Sequence, residues 1–139
     1  RVVFLSDYAH HPSEIKQSVL SIRELYKDKK ITAIFQPHLY TRTRDFYKDF
    51  ASSLSLLDEV ILVDIYPARE QPIPGVTSQL IYDNLRPGIE KCMCKKEEIL
   101  NILENKNIEV LITLGAGDID NYVPSITEKL NTRLNKPQS

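Results

Sequence analysis

Glycine is scarce in this sequence, and the positions of the few glycines exclude the common nucleotide-binding loops. The chain has four in 139 residues: Gly75, Gly88, Gly115 and Gly117. None of them is followed by lysine, so the P-loop motif is absent, and Asp120 stands where the dinucleotide-binding fingerprint would need a third glycine. A tight strand-to-helix turn capped by Asp118 explains Gly115-Ala116-Gly117 at least as well as ligand contact does. If the chain serves nucleotide chemistry, the phosphates are therefore bound elsewhere.

Other scarce features exclude further classes of protein. Cys92 and Cys94 are the only cysteines, so we expect two unbridged, unliganded thiols and a reducing compartment. The net charge of −1 lacks the basic excess of a nucleic-acid-binding domain. No apolar run approaches the roughly 18 residues of a membrane span, and no signal peptide is visible. The chain enters a predicted strand at once, without an initiator methionine, so we expect a cytoplasmic fragment of a longer protein.

What is present is a globular composition with alternating strand and helix patterns. The sequence is 42% hydrophobic and 27% charged, enough for one domain with its own core. Runs of aliphatic and β-branched residues predict strands at about 2–6, 31–36, 59–64, 89–93 and 108–114. Helical stripes predict helices from Pro12, along Phe46, Phe50, Leu54 and Leu57, at 77–85, at 95–105, and from about Asp118.

The alternation predicts an α/β fold with a mostly parallel sheet of five or six strands and helices on both faces. The strands at 31–36 and 108–114 are almost wholly apolar, which is typical of central positions. Residues 65–76 form the longest irregular stretch, and a loop of this length in a compact domain is often functional. The tail at 135–139 is expected to be frayed.

Chemically useful side chains follow the predicted strands. The first strand leads into residues 7–12, the second into 36–44, the third into 66–72 and the fifth into 115–118. All three histidines lie in two of these segments: His10, His11 and His38. Ligands of open parallel sheets bind beyond the carboxyl ends of the strands, so we predict a functional site there.

Anion binding and metal binding are both conceivable for these side chains. Arg42 and Arg44 lie near a predicted helix start, where a cation is unfavourable unless an anion binds to the guanidinium and the free backbone N–H groups. For Arg44, a solvated surface role is an equal alternative. Zinc on the histidines with Asp7 is disfavoured because adjacent histidines are poor partners on one metal and zinc-site spacing is absent. We therefore predict no metal bound by this chain.

These residues resemble the C-terminal domain of the Mur ligase family. The similar segments are Asp7-Tyr8-Ala9-His10-His11-Pro12, Phe35-Gln36-Pro37-His38, Thr41-Arg42-Thr43-Arg44-Asp45-Phe46, Glu70-Gln71-Pro72-Ile73 and Gly115-Ala116-Gly117-Asp118-Ile119. The resemblance covers essentially the whole chain and is closest to the members that join L-alanine to UDP-N-acetylmuramate through an acyl phosphate.

This resemblance implies that residues 1–139 are the Rossmann-like, amino-acid-binding domain of a bacterial three-domain ligase of peptidoglycan precursor synthesis. Its N-terminal domain would hold the UDP-sugar and its central domain the P-loop. The cofactors would be ATP and Mg²⁺, bound mainly by the central domain. The isolated domain is expected to be inactive.

The resemblance also implies roles for individual residues. Asp7 would lie near the ATP ribose, and Tyr8 and His10 at the meeting point of nucleotide and amino acid, with His10 as the candidate catalytic group. Tyr8, His38 and Arg42 would receive L-alanine, with Arg42 pairing with its carboxylate. Further residues expected to line the site are His11, Arg44, Arg69, Glu70, Gly115, Gly117 and Asp118.

Three positions depart from the family pattern. Leu39 stands where relatives often carry an arginine after the histidine. If that arginine normally holds the amino acid, Arg42, Arg44 or Arg69 must compensate. Ala9 replaces a common glycine, and Ser6 stands where many members have a second aspartate before Asp7.

Two other functions stay open at this stage. Another Mur-type ligase, such as a recycling ligase that attaches whole peptides, is one; His11 and residues 35–38 favour the alanine-adding members over it. A stand-alone nucleotide-binding or regulatory module without catalysis is the other. A purely structural protein fits least well with the clustered histidines and arginines.

Overall fold

A five-stranded, wholly parallel sheet with helices on both faces forms the domain. The computed structural model describes residues 2–134, so the predicted frayed tail at 135–139 lies outside the described residues. The strands are β1 (Val3–Asp7), β2 (Ile31–Phe35), β3 (Glu59–Val63), β4 (Glu90–Cys94) and β5 (Val110–Leu114). Their order in the sheet is β1-β5-β2-β3-β4. The predicted α/β class is confirmed, and β2 and β5 are interior strands as expected.

Five helices follow the predicted stripes, with small changes at their starts. They are α1 (Pro12–Leu25), α2 (Tyr40–Leu54), α3 (Gln79–Asn84), α4 (Ile99–Glu104) and α5 (Val123–Leu134). Short 3₁₀ turns at Lys96–Glu98 and Asp118–Tyr122 replace the predicted first turns of α4 and α5. Pro124 suits the second position of α5, because a helix start does not need its missing N–H.

One predicted core position was wrong. Phe46 is 41% exposed, whereas Phe50, Leu54 and Leu57 are fully buried. The buried position two turns before Phe50 is taken by Thr43, whose hydroxyl donates to the carbonyl of Leu39 at 2.9 Å. A threonine hydroxyl that is hydrogen-bonded can be buried at little cost. A pattern based on apolar residues alone therefore predicted Phe46 as the first buried position of this helix.

The direction of the connections decides which face each helix covers. The connections β1-α1-β2, β2-α2-β3 and β3-α3-β4 all run towards β4, and α1, α2 and α3 pack over one side of the sheet. The connection from β4 to β5 runs back, and α4 and α5 pack over the other side. Right-handed crossovers require this change of face when the direction reverses. Strand β5 lies between β1 and β2. The chain continues from β1 and β2 to helices on one face of the sheet and from β5 to a helix on the other face. This divergence creates a crevice at the carboxyl edge.

The sequence argues against disulfide bonds and against membrane spans, and the structure bears on both. Cys92 and Cys94 are free thiols, as expected, and burial raises the pKa of the Cys94 thiol to about 12. Among the described residues, no helix is long and apolar enough to cross a bilayer.

Candidate functional site

The loops that follow β1, β2, β3 and β5 are joined to one another by backbone hydrogen bonds at the carboxyl edge of the sheet. The Gly115 N–H donates to the Asp7 carbonyl at 3.1 Å, which ties the β5 loop to the end of β1. The Tyr66 N–H donates to the Pro37 carbonyl and the Leu39 N–H to the Tyr66 carbonyl, both at 2.8 Å. The sequence segments predicted to form a site are therefore neighbours in space.

All three histidines come together at this edge. The ring centroids of His10 and His11 are 4.7 Å apart, and those of His10 and His38 are 5.5 Å apart. On its other side, His38 stacks on Tyr66 with the centroids 5.5 Å apart and the planes at 25°. Tyr66 thus supports the histidine cluster, a role that no sequence pattern indicates.

The tautomer of His10 is set by its surroundings. Its Nδ1 lies 2.8 Å from the Tyr8 carbonyl oxygen, which can only accept, so Nδ1 carries the proton. In neutral His10 the free lone pair is therefore on Nε2, where it can accept a proton.

His10, His11 and Glu14 lie close enough to suggest a metal site, with one ligand atom of each within 4.8 Å of the others. However, Glu14 Oε1 accepts the backbone N–H groups of His10 and His11, at 3.2 and 3.0 Å, and so caps the start of α1. The hydrogen bonds from His11 and His10 lower the pKa of the Glu14 carboxyl. Since Nδ1 of His10 also has a protein partner, helix capping explains this cluster, and the absence of a bound metal stays a prediction.

His38 and Arg42 form the part of the site with unmet hydrogen-bonding capacity. Nδ1 of His38 and Nη1 of Arg42 are buried and have no hydrogen-bond partner within residues 2–134. Burial lowers the pKa of His38, and the charges of Arg42 and His10 lower it further, so its ring is neutral at pH 7. A buried, unpaired guanidinium N–H costs free energy that an incoming anion can recover. The geometry therefore provides an anion receptor.

The sequence predicts a bound anion at the start of α2, and the protein itself places one carboxylate there, that of Glu70. Glu70 Oε1 accepts the Thr41 N–H at 3.0 Å, and its Oε2 accepts the Thr41 hydroxyl. The Thr41 hydroxyl and the backbone N–H groups of Thr41 and Tyr40 lower the pKa of Glu70, so its carboxylate is charged. A ligand anion would thus meet the Arg42 guanidinium rather than the Thr41 N–H.

The glycine-rich loop after β5 is shaped mainly by packing. Gly115 has φ +143°, and a Cβ there would lie 2.9 Å from the Gln36 carbonyl oxygen. Gln36, only 1% exposed, donates to Asp118 Oδ1 at 2.6 Å and accepts the Ile119 N–H at 2.9 Å. Asp118 also pairs with Lys96. The expected cap by Asp118 is wrong in detail, because Gly117 holds the cap position and Asp118 instead joins this network.

Asp7 and Tyr8 belong to the same edge but already have protein partners. Asp7 accepts the Ala9 N–H at 2.9 Å and the Ser18 hydroxyl at 2.6 Å, which fixes the loop that carries His10. Tyr8 is 60% exposed, and its hydroxyl donates to Asp120 at 2.7 Å. Both residues help to hold the first loop in place.

Two of the candidate arginines lie apart from the buried receptor. Arg44 is exposed and pairs with its neighbour Asp45 at 2.8 Å, which favours the surface interpretation. Arg69 is exposed in the 65–76 loop. Of the three arginines offered as compensation for Leu39, only Arg42 has a buried, unpaired N–H group among the described residues.

Several residues that organise the site were missed in the sequence. Gln36 and Thr41 lie in segments predicted to reach the site but carry no individual prediction, and no sequence pattern indicates a role for Tyr66, Lys96 or Asp120. A glutamine directly after an almost wholly apolar strand is a signal that could have identified Gln36, which is buried in the structure. The other contacts join residues far apart in sequence, and no local pattern marks them.

Gly117→Ala is expected to destabilise the domain by about 1–3 kcal/mol through overpacking. A Cβ at Gly117 would lie 2.5 Å from Gln36 Oε1 and 2.6 Å from the Tyr66 ring, so one of these side chains or the loop would have to shift. Urea unfolding of this chain measures the change. Gly75→Ala is the matched control, because its Cβ meets nothing within 4 Å and only its φ of +80° is unfavourable. Unchanged stability of Gly117→Ala would show that the loop yields easily.

Comparison with known proteins identifies a shared family. The family model described as Mur ligase, glutamate ligase domain, matches residues 1–118. A UDP-N-acetylmuramate–L-alanine ligase of Phocaeicola vulgatus is 84% identical over 96% of this chain, and that of Parabacteroides distasonis is 56% identical over 99%. The chain spans 29% of the length of each of these curated relatives.

Solved structures agree with the fold. The UDP-N-acetylmuramate–alanine ligase of Thermotoga maritima matches with a TM-score of 0.74 and 27% identity, over 95% of this chain and 27% of its own. A murein peptide ligase of Psychrobacter arcticus matches with a TM-score of 0.75 over 99% of this chain and 28% of its own. Its identity of 14% supports the fold alone.

Proposed function

Since this chain belongs to the Mur ligase family, we propose that it is the C-terminal, amino-acid-binding domain of a UDP-N-acetylmuramate–L-alanine ligase. The complete enzyme would use ATP to join L-alanine to the lactyl carboxylate of UDP-N-acetylmuramate in the bacterial cytoplasm. The UDP-sugar and ATPase domains would occupy the part of the protein that this chain does not include. The names and high identities of the relatives support this assignment.

The buried, unpaired Nη1 of Arg42 is the observation that carries the proposal for this domain. A ligand with one carboxylate would satisfy it, and the neutral His38 ring beside it can donate a further hydrogen bond. An amino acid held by its carboxylate in this way is fixed in orientation, with its amine directed by the shape of the site. Holding two reactants in register can lower a barrier by up to roughly 7–11 kcal/mol in ideal cases.

His10 is the residue proposed to act on the amine. An ammonium group must lose a proton before its nitrogen can attack the acyl carbon. The carbon–nitrogen bond then forms, the bond to phosphate breaks, and inorganic phosphate leaves with the second proton of the nitrogen. The first proton, lost before the attack, passes to a base. His10 Nε2 has the free lone pair that this step needs, because the Tyr8 carbonyl holds the proton on Nδ1.

The donor set of this domain suits an amino acid better than Mg²⁺. Mg²⁺ prefers oxygen ligands, whereas the receptor offers imidazole and guanidinium groups. We therefore assign Mg²⁺ to the central domain, together with the ATP phosphates, because no glycine of this sequence is followed by the lysine of a P-loop. Asp7 keeps lone pairs beyond those used by Ala9 and Ser18, so it can still accept a ribose hydroxyl.

Phosphate release by the full-length protein tests this proposal. With UDP-N-acetylmuramate, ATP and Mg²⁺ present, we expect release with L-alanine to exceed that with L-serine, glycine or a peptide. Release only with a peptide would indicate the recycling ligase instead. No release with any acceptor would leave the non-catalytic module as the better description.

A further inference from the structure

Helix α2, which carries Arg42, begins without a cap of its own. Its cap position is held by Leu39, whose side chain cannot accept a hydrogen bond. Leu39 also has φ +74°, a backbone conformation that residues other than glycine rarely adopt. A helix start with an apolar cap residue and an unfavourable backbone needs support from elsewhere in the protein.

Glu70 supplies that support from a different loop. Its two carboxylate oxygens accept the N–H and the hydroxyl of Thr41, the second residue of α2. Glu70 lies 29 positions further along the chain, in the irregular 65–76 segment. The same segment is bonded to the Leu39 N–H through the Tyr66 carbonyl. The 65–76 loop therefore fixes the start of α2 on both sides of Tyr40.

We propose that Glu70 is a positioning residue that holds Arg42 and His38 in the geometry needed for the substrate carboxylate. The inference rests on the proposed function, since it concerns the same anion receptor. Arg42 follows Thr41 directly, and His38 precedes Leu39 directly. A movement of the first turn of α2 would therefore displace both groups relative to each other. Glu70 itself does not contact the substrate and acts through Thr41.

The Glu70 carboxylate also decides whether the substrate carboxylate can bind to the Thr41 N–H or to the Arg42 guanidinium. By occupying the Thr41 N–H, it leaves Nη1 of Arg42 as a buried side-chain donor without a partner among the described residues. The substrate carboxylate is therefore directed to the guanidinium. Glu70 thus helps to orient the substrate as well as to hold the start of α2 in place.

Substitutions in the full-length enzyme test the proposal. Glu70→Ala is expected to raise the KM for L-alanine by about 10- to 100-fold, as for a misplaced binding group, with the KM values for ATP and the UDP-sugar unchanged. Glu70→Gln should cause a smaller rise, because its amide oxygen still accepts the Thr41 N–H. Thr41→Val removes only the hydroxyl contact and should resemble Glu70→Gln. These two milder variants keep the test decisive if Glu70→Ala does not fold.

Asp45→Asn is the matched control for charge. It removes a carboxylate from α2 that pairs with Arg44 and does not touch Thr41. We expect its alanine KM to equal that of the unmodified enzyme. An equal rise in Asp45→Asn and Glu70→Ala would show that general charge, not the cap, is responsible, and would overturn the inference.

A double substitution separates this inference from the function on which it rests. If Glu70 acts through Arg42, Glu70→Ala should add little to the KM of an Arg42→Ala enzyme. A full additional rise in that background would overturn the positioning role. An unchanged alanine KM for Arg42→Ala alone would instead refute the proposed receptor, whatever Glu70 does.

Discussion

Arg42→Ala in the full-length enzyme is expected to raise the KM for L-alanine by about 100-fold or more, about 3 kcal/mol of lost binding. The buried Nη1 has no partner in the part of the chain that the structure describes, so the substrate carboxylate is its expected partner. Truncation would leave that carboxylate unpaired in a partly buried site. The KM values for UDP-N-acetylmuramate and ATP should not change. Steady-state phosphate release at varied alanine concentration measures the effect.

Arg44→Ala and Arg42→Lys are the controls for this prediction. Arg44 is an arginine on the same helix, exposed and paired with Asp45, so its removal should leave the alanine KM unchanged. Arg42→Lys keeps the charge but loses the planar fork, and an intermediate KM is expected. If Arg44→Ala rather than Arg42→Ala raises the KM, the carboxylate is bound on the exposed side of α2, and the buried receptor is wrongly assigned.

Lys106→Met is expected to lower the free energy of unfolding of this chain by about 3 kcal/mol, the low end for breaking a buried ion pair. Glu59, at the start of β3, is 2% exposed and pairs with Lys106 at 2.5 Å and Lys30 at 3.5 Å. The Thr32 hydroxyl also donates to it at 3.1 Å. Loss of Lys106 leaves a buried carboxylate with weaker compensation, and Lys30 limits the damage. Urea unfolding near pH 7 gives the difference.

A surface pair provides the matched control. Lys129→Met removes the partner of Glu104, a carboxylate that is largely exposed, and should cost at most about 1 kcal/mol. An equal loss in Lys106→Met and Lys129→Met would show that burial of Glu59 adds nothing. The network lies at the amino edge of the sheet, opposite the histidines, so activity at a permissive temperature should be unaffected.

The same network predicts a pH dependence of stability. Burial alone would raise the pKa of Glu59, but the hydrogen bond and charge of Lys106, with that of Lys30, lower it overall. Its contribution is therefore present above the unfolded pKa of about 4.3 and is lost as the pH falls through the lower folded pKa. The pKa of Lys106 is raised by its hydrogen bond to Glu59, so its contribution is lost only as the pH rises through the folded pKa.

The sequence by itself determined the class of fold and the edge at which chemistry is possible. Apolar runs with period two or 3.6 depend on local geometry, so they predicted each strand and helix within a few residues. The polar segments follow strands, and parallel strands bring their carboxyl ends to one edge, which placed His10 and His38 together. The lack of lysine after any glycine excluded a phosphate loop without reference to structure.

Only the tertiary structure decided which neighbours those residues have. Periodicity states which face of a strand is buried but not which strand lies beside it, so the position of β5 between β1 and β2 had no local signal. The contacts that define the site join distant positions, as Glu70 with Thr41 and Gln36 with Asp118 do. Whether the buried N–H of Arg42 finds a hydrogen-bond partner depends on every side chain around it. Those side chains come from distant parts of the sequence, so only the folded structure can show the result.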